Sequence, residues 1–351
     1  MTGACLGRSG LNRKSGLTTL TMVLAAEAAD VDILWIFKSG TADLQHHRGI
    51  THSFFGAPFV AAAVLALVYG IHRIRQRMPV SVKRRARPPV RWGYLYLFAV
   101  IAALSHLLLD YTTAYGIRLF EPFNYRWYTW DIVYILDPVI WAVLIGGLTL
   151  PALFRLINEE IGARSKGPPG RAGAIFALVC LVLIWGVRDY QHRRAIGAMG
   201  SFTYRGAAPE RVAAYPYMIN PFRWHGVVET ADFLETVPVN SIGPEIDDSQ
   251  ARIFYKPEEN EVLEVAKSTY FGRVYLDWAV FPFVQQQKLE GETRGYFVNF
   301  QDLRYTYPET SGRTALGGYV VLDPHLHVLM QGMNTWTSPT PESLANQPVR
   351  R

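Results

Sequence analysis

Cysteine and charge are both scarce in this sequence of 351 residues. Its two cysteines, Cys5 and Cys180, lie far apart in apolar stretches, so neither a disulfide framework nor a cysteine-based metal site is indicated. Charged residues make up only 18% of the chain, whereas 50% of it is hydrophobic. A cleavable signal peptide is not expected either, because the first apolar run contains Glu27, Asp30 and Asp32 and offers no convincing cleavage site.

The hydropathy changes about halfway along the chain. Up to about Val187, long apolar runs alternate with short basic loops, and the remainder is mixed, rich in Tyr and Pro, and typical of a soluble domain. A helix of roughly 20 apolar residues crosses the hydrocarbon core of a bilayer, so we expect about five membrane-crossing segments. These segments are 17–37, 54–71, 92–110, 132–154 and 172–187.

The net charge of +6 is distributed unevenly. The loop 72–91 carries much of the basic charge and no acidic residue, so the positive-inside rule places it in the cytoplasm. Alternation then places the C-terminal part outside the cytoplasm. Since the basic charge is explained as a topology signal, nucleic-acid binding is not predicted.

These observations predict a mainly α fold. A polytopic helical domain with about five transmembrane segments occupies 1–190, and a small extracytoplasmic α+β domain follows at 200–351. Within the second domain we expect strands at 226–230, 294–300 and 318–322, and one amphipathic helix over 261–284. We interpret His325 and His327 as neighbours on one face of a strand, with a structural role rather than a metal-binding one.

The most informative pair of ionisable residues lies in the third apolar segment. His106 and Asp110 are four positions apart, so their side chains project from the same face of a helix. An ionisable pair in such a helix is costly unless it is partnered, and by default it marks a functional site. The alternative is a His–Asp hydrogen bond that only secures the end of the helix.

Further ionisable residues gather at the same predicted membrane face. With the basic loop in the cytoplasm, they lie at or beside the outer ends of four apolar segments, whereas chance placement would distribute them over both faces. The sequence therefore predicts one site at the outer face of the membrane. Its candidate members are Asp30, Asp32, His47, Arg48, His52, His106, Asp110, Asp131 and Asp137.

Imidazoles and carboxylates without cysteine are suitable ligands for zinc or another divalent metal ion. An ion with an open coordination position lowers the pKa of a bound water. Asp30 or Asp32 then bridges metals or acts as the base, and Arg48 is the candidate donor to an anionic oxygen such as that of a phosphate. A Ser–His–Asp triad through Ser53 or Ser105 remains an alternative, although neither serine lies in a Gly-x-Ser-x-Gly turn. The predicted metal ligands are Asp30, His47, His52, His106 and Asp110.

Together the motifs resemble the YdjM-type family of inner-membrane proteins, which are regarded as metal-dependent hydrolases. The resemblance rests on Asp30-Val31-Asp32, on the run from His46 to Ser53 and on the run from Ser105 to Gly116, and it extends over about 3–138. It implies a His and Asp pattern like that of zinc-dependent phospholipase C, and hence hydrolysis of a phosphoester-like bond. The stretch 220–226 is similar to longer family members with an additional C-terminal domain.

The sequence departs from the family pattern at its start. Family members usually begin with a Thr-His pair ahead of a small-residue stretch such as 2–7, and Met1 stands after that position. Either the sequence starts later than those of the family, or the protein lacks one ligand histidine that the resemblance implies.

The sequence favours a multi-pass inner-membrane protein that hydrolyses a small-molecule or lipid substrate with a divalent metal, zinc above all. One rival is a membrane protein without enzymatic activity, whose His/Asp cluster is structural or holds a metal that only joins helices. A second rival is a transporter with a cation path through Asp30, His106 and Asp110. The transporter is disfavoured because these residues lie at one membrane face rather than at the midplane.

Overall fold

The structure is a computed structural model, and it describes residues 1–77, 88–160, 170–243, 245–290, 295–307, 316–335 and 338–345. The helices are α1 (Thr2–Arg8), α2 (Thr18–Glu27), α3 (Gly40–His46), α4 (Gly56–Arg77), α5 (Trp92–Tyr111), α6 (Pro138–Glu160), α7 (Arg171–Ser201), α8 (Glu261–Ser268), α9 (Tyr270–Trp278) and α10 (Pro341–Ala345). The strands are β1 (Arg211–Pro216), β2 (Arg223–Glu229), β3 (Phe233–Asn240), β4 (Glu245–Ile246), β5 (Arg252–Tyr255), β6 (Pro282–Leu289), β7 (Gly295–Asp302), β8 (Gly318–Leu322) and β9 (Val328–Met333).

The chain divides into two compact units. The first consists of Met1–Asp32 and Arg48–Tyr190, and the second of Ile33–His47 and Gln191–Arg351. The segment Ile33–His47, which the sequence analysis assigned to the membrane domain, therefore belongs to the second unit.

Within the described residues, four helices are long and apolar enough to cross a membrane: α4, α5, α6 over Pro138–Arg155, and α7. Large apolar side chains on these helices are exposed, among them Phe59 (63%) and Leu183 (62%). Exposed apolar surface of this extent suits contact with lipid rather than water. The four helices correspond to the second to fifth predicted segments. The first predicted segment contains only the ten-residue α2, about 15 Å long, followed by the 3-10 segment Ala28–Phe37.

Small residues allow the helices of the first unit to approach closely. Met22 on α2, Ala61 on α4 and Ala102 on α5 share one buried cluster. At the contact of α6 with α7, a Cβ added to Gly173 would lie only 2.4 Å from the carbonyl oxygen of Gly147. These packed helices hold the C-terminal end of α5, where His106 and Asp110 lie, in a fixed environment.

Two antiparallel sheets form the framework of the second unit. One has the order β1-β2-β3-β4, with β5 also paired to β3, and the other has the order β6-β7-β8-β9. The predicted strands at 226–230, 294–300 and 318–322 correspond to β2, β7 and β8, although residue 294 lies outside the described residues. The α+β expectation is thus refined to a two-sheet antiparallel β domain with short helices.

The predicted helix over 261–284 is wrong. Thr269 has an extended backbone that separates α8 from α9, and its hydroxyl accepts a hydrogen bond from the Gly272 N–H at 3.0 Å, as an N-cap does. Strand β6 then begins at Pro282. The local capping interaction thus interrupts a continuous amphipathic pattern.

The placement of His325 and His327 on a strand is also wrong. Both residues lie in the connection between β8 and β9, where their backbone N–H groups each donate to Asp323 Oδ1 at 2.8 Å. The carboxylate organises a turn at this point, so the alternation of the two histidines does not reflect strand geometry.

Candidate metal centre

Four ionisable side chains converge in the first unit. Asp30 lies in the 3-10 segment that follows α2, His52 ends a short 3-10 turn, and His106 and Asp110 share one face of α5. One ligand atom from each of these residues lies within 4.8 Å of the others, so the four could hold a metal ion. We call these four residues the donor group.

The distances within the donor group are close to those of a tetrahedral site. His52 Nε2 lies 3.2 Å from His106 Nε2, 3.2 Å from Asp30 Oδ1 and 3.4 Å from Asp110 Oδ2. His106 Nε2 lies 3.3 Å from each of the same two carboxylate oxygens. In a tetrahedral site with ligand bonds of about 2.0 Å, neighbouring ligand atoms lie about 3.3 Å apart.

A tight turn positions His52 in the donor group. The Ser53 hydroxyl accepts a hydrogen bond from the Gly56 N–H at 2.9 Å and donates to the Ile50 carbonyl at 2.8 Å. A Cβ at Gly56 would lie 1.8 Å from the same carbonyl oxygen, so the turn requires glycine. As a result the His52 side chain is fully buried.

Asp32 orients His52 from the side opposite to the donor group. Its Oδ2 atom lies 2.9 Å from His52 Nδ1 and also accepts hydrogen bonds from the Arg48 N–H and the Thr51 hydroxyl, both at 2.9 Å. When the Nδ1–H donates to Asp32, the lone pair of Nε2 is directed at the other donors. This is the carboxylate–histidine arrangement that accompanies many metal ligands.

Arg48 binds the other oxygen of Asp110. Its Nη2 lies 3.0 Å from Asp110 Oδ1, its Nη1 donates to Thr113 Oγ1 at 2.9 Å, and its guanidinium lies 4.9 Å from the centre of the Tyr115 ring. Only 7% of Arg48 is exposed, and its backbone has a positive φ of 56°, a strained conformation for this residue type. The structure therefore holds Arg48 against Asp110.

The remaining candidates lie outside the donor group. His47 belongs to the second unit, where it caps the C-terminal end of α3. Asp131 accepts a hydrogen bond from the Thr129 hydroxyl, and Asp137 accepts hydrogen bonds from the first backbone N–H groups of α6 and pairs with Arg188.

The carboxylates and imidazoles of the donor group stabilise one another's charged forms. Burial opposes ionisation of Asp30, but hydrogen bonds from His106 and His52 outweigh it and hold the pKa of this carboxyl well below its usual range. Burial likewise opposes protonation of His52, but hydrogen bonds to Asp30 and Asp32 outweigh it and raise the pKa of the imidazole. The side chain of Asp30 is 43% exposed, whereas those of the other three donors are at most 12% exposed. The group is therefore most accessible at Asp30.

The sequence analysis did not identify Thr51, Thr113 or Tyr115 as contributors. Each contacts Asp32 or Arg48 and none is ionisable in the neutral range, so a search for metal ligands passes over them. In the sequence, these three residues could have been found only by their positions next to predicted ligands, since Thr51 precedes His52, and Thr113 and Tyr115 follow Asp110 closely.

Comparison with known proteins agrees with the membrane character of the first unit. A curated relative, the uncharacterized protein YfhP of Bacillus subtilis (strain 168), is 23% identical over 131 residues, which make up 37% of this chain. The matched region spans only 36% of that relative. No solved structure matches. The family described as YdjM inner membrane protein matches residues 1–195, and the chain therefore belongs to this family of membrane proteins.

Proposed function

We propose that this protein is a membrane-bound, metal-dependent hydrolase, with zinc as its metal and a phosphoester as the bond that it cleaves. The observation that carries the proposal is the donor group, in which two imidazole nitrogens and two carboxylate oxygens surround one position. The choice of a phosphoester rests on the resemblance of the His and Asp pattern to that of zinc-dependent phospholipase C.

The chemistry of the donor group fits a divalent cation. Asp110 Oδ2 is buried and makes no hydrogen bond of ordinary geometry to the described part of the chain, although both imidazoles lie within 3.4 Å of it. The donor group and its neighbours include three carboxylates, those of Asp30, Asp32 and Asp110, and one guanidinium, that of Arg48, so two negative charges remain when both imidazoles are neutral, as metal ligands are. A divalent cation would balance this charge and satisfy the buried oxygen.

Because the four donors would complete a tetrahedral shell, a catalytic metal here would have to take a fifth ligand or lose one donor; it would then acidify a bound water molecule and polarise the bond to be cleaved. The residues of this chain prepare the site for that chemistry. Asp32 holds His52 in the tautomer whose Nε2 lone pair is available to a metal, and Arg48, itself bound to Thr113, holds the carboxylate of Asp110. Asp30, the most exposed donor, lies on the side from which substrate and water enter.

This arrangement changes the roles that the sequence analysis gave to Arg48 and Asp32. Arg48 is committed to Asp110, and Asp32 Oδ2 already accepts two hydrogen bonds in addition to its contact with His52. We therefore propose both as positioning residues, rather than as the donor to an anionic oxygen and the base.

A structural metal is the second candidate function. The four donors come from three separate segments of the first unit, so a metal at this position would join them whether or not a substrate binds. This candidate shares the metal with the hydrolase but predicts no turnover.

The test combines metal content with turnover. We expect purified protein to hold zinc and to hydrolyse bis(4-nitrophenyl) phosphate, and we expect His106→Ala to lose both properties because it removes one of four donors. His72→Ala, at a half-buried position near the C-terminal end of α4 and outside the donor group, is the control and should keep both. Bound zinc without turnover in the wild-type protein would favour the structural metal, and equal turnover by His106→Ala would refute the proposed site.

A further inference from the structure

A cavity of about 250 Å³ opens beside the donor group in the first unit. Asp30, His106 and Asp110 form part of its polar side. The apolar part of its lining, which we call the apolar wall, consists mainly of Val133, Ile135, Leu136, Ile140, Trp141 and Leu144. The cavity thus places an ionisable group and an apolar wall within reach of one ligand.

The apolar wall follows α6 into the depth of a candidate membrane span. Asp137, which caps the N-terminal end of α6, and Ile140 and Leu144 within the helix recur at helical spacing and line the cavity together, so they follow one face of α6 from its start. Seven residues along a helix correspond to about 10 Å. Ile140 and Leu144 are buried at this stripe, whereas Trp141 is 47% exposed on the apolar surface of the helix. The cavity therefore leads from the donor group towards the region that lipid would contact.

We propose that this cavity binds the apolar chain of a membrane amphiphile whose anionic, hydrolysable group lies at the donor group. Hydrolysis of the amphiphile rests on the proposed function, whereas binding of its chain does not. The cavity volume is below the roughly 300–1,000 Å³ of drug-sized sites, which favours one chain rather than two. A fully water-soluble substrate would leave the apolar wall without a partner.

Binding can be tested without turnover. The probe is dodecylphosphonate with a diazirine at the end of its chain, which contains no hydrolysable ester and is added to zinc-loaded, full-length protein in lipid nanodiscs. We expect labelling of residues 133–144 that excess dodecylphosphonate displaces and methylphosphonate does not. Labelling spread over the lipid-exposed faces of α4 to α7 without displacement would overturn the inference.

A substitution that places a positive charge at the edge of the cavity tests the proposed binding of an apolar chain. Leu136 is 65% exposed, so Leu136→Arg introduces a charge beside the chain without burying it in the core. We expect the displaceable labelling to weaken by about tenfold. The matched control is Phe123→Arg, since Phe123 is 81% exposed and does not line the cavity. Zinc content and melting temperature show whether each variant is folded, and an unchanged Leu136→Arg protein would contradict the inference.

Two substrates with the same cleaved bond separate the inference from the proposed function. We expect Leu136→Arg to raise the KM for 4-nitrophenyl dodecyl phosphate about tenfold and to leave that for 4-nitrophenyl ethyl phosphate unchanged. Hydrolysis of both esters with no effect of Leu136→Arg would support the hydrolase and overturn the chain site. Displaceable labelling without hydrolysis of either ester would support the chain site and refute the hydrolase.

Discussion

At the scale of single residues, the two oxygens of Asp110 have different partners. Oδ1 lies 3.0 Å from Arg48, whereas Oδ2 faces the imidazoles of His52 and His106. These contacts hold the carboxylate in one orientation. His106 and Asp110, four positions apart on α5, supply two of the four residues of the donor group. A positioned ligand loses less conformational freedom when it binds a metal.

Asp32→Asn tests the orientation of His52. The amide keeps the shape of the side chain but removes the negative charge beside Nδ1, so we expect zinc affinity to fall about 10–100-fold while saturating zinc still fills the site. Competition with a fluorescent chelator measures the affinity. Asp232→Asn, in the exposed turn between β2 and β3, should leave it unchanged. Wild-type affinity in Asp32→Asn would show that Asp32 does not act through His52.

Arg188, Arg193 and Arg194 follow the last apolar segment, and their positive charges argue weakly against an extracytoplasmic position for the C-terminal part. Of the three, Arg188 is paired inside the protein. In the structure both Arg188 and Asp137 are buried, at 2% and 3% exposure, and they form an ion pair. Because the charge is paired inside the protein, it carries little weight as a topology signal.

At the scale of elements, the close contact of α6 and α7 depends on small residues. The backbone of Gly147 faces Gly173, and a Cβ at Gly147 would lie 2.5 Å from the Cβ of Ala177. In a lipid environment such contacts are stabilised by packing rather than by the hydrophobic effect. The helix α6 also contributes Ile140, Trp141 and Leu144 to the apolar wall of the cavity, and Asp137, just before α6, pairs with Arg188 on α7.

Gly173→Val is expected to separate these helices. Its side chain would overlap the carbonyl oxygen of Gly147 and the ring of Pro151, so we expect a loss of about 1–3 kcal/mol in the free energy of unfolding. Thermal unfolding in detergent measures the change. Gly186→Val on the same helix is the control, because no described atom lies within 4 Å of its Cβ position. Equal stability of the two variants would contradict the close contact.

At the scale of the whole molecule, the N-terminal residues of the first unit lie close to the donor group. The Met1 amine lies 3.2 Å from Glu27 Oε1, near the Asp30 end of α2, whereas Ser15 accepts a hydrogen bond from the Arg91 N–H at the start of α5. The chain from α1 to α2 thus runs away from the donor group and returns to it. This arrangement is compatible with four crossing helices, those that are long and apolar enough within the described residues.

Membrane sidedness gives the corresponding prediction. We expect reporters placed before Met1 and after Pro341 to lie on the same, extracytoplasmic side, and a reporter after Arg85 to lie in the cytoplasm, because basic loops remain there. Arg85 itself lies outside the described residues. A cytoplasmic signal after Pro341 would refute the extracytoplasmic position of the C-terminal domain. Opposite signals before Met1 and after Pro341 would favour five crossings.

The sequence by itself determined the features that depend on local geometry and on solvent. Runs of about 20 apolar residues predicted α4 to α7, because a bilayer requires helices of that length. Helical spacing placed His106 beside Asp110, because residues four apart lie on one face. Alternating β-branched and aromatic residues predicted β2, β7 and β8.

Only the tertiary structure decided which distant residues meet. It brought Asp30 and His52 to His106, turned Arg48 onto Asp110, and left His47 in the second unit. None of these contacts follows from local propensity, because the residues lie tens of positions apart and are brought together by the packing of small side chains on α2, α4 and α5. The cavity arises in the same way, since its lining comes from the N-terminal residues, the end of α2, α5 and the segment 133–144, which are distant in the sequence.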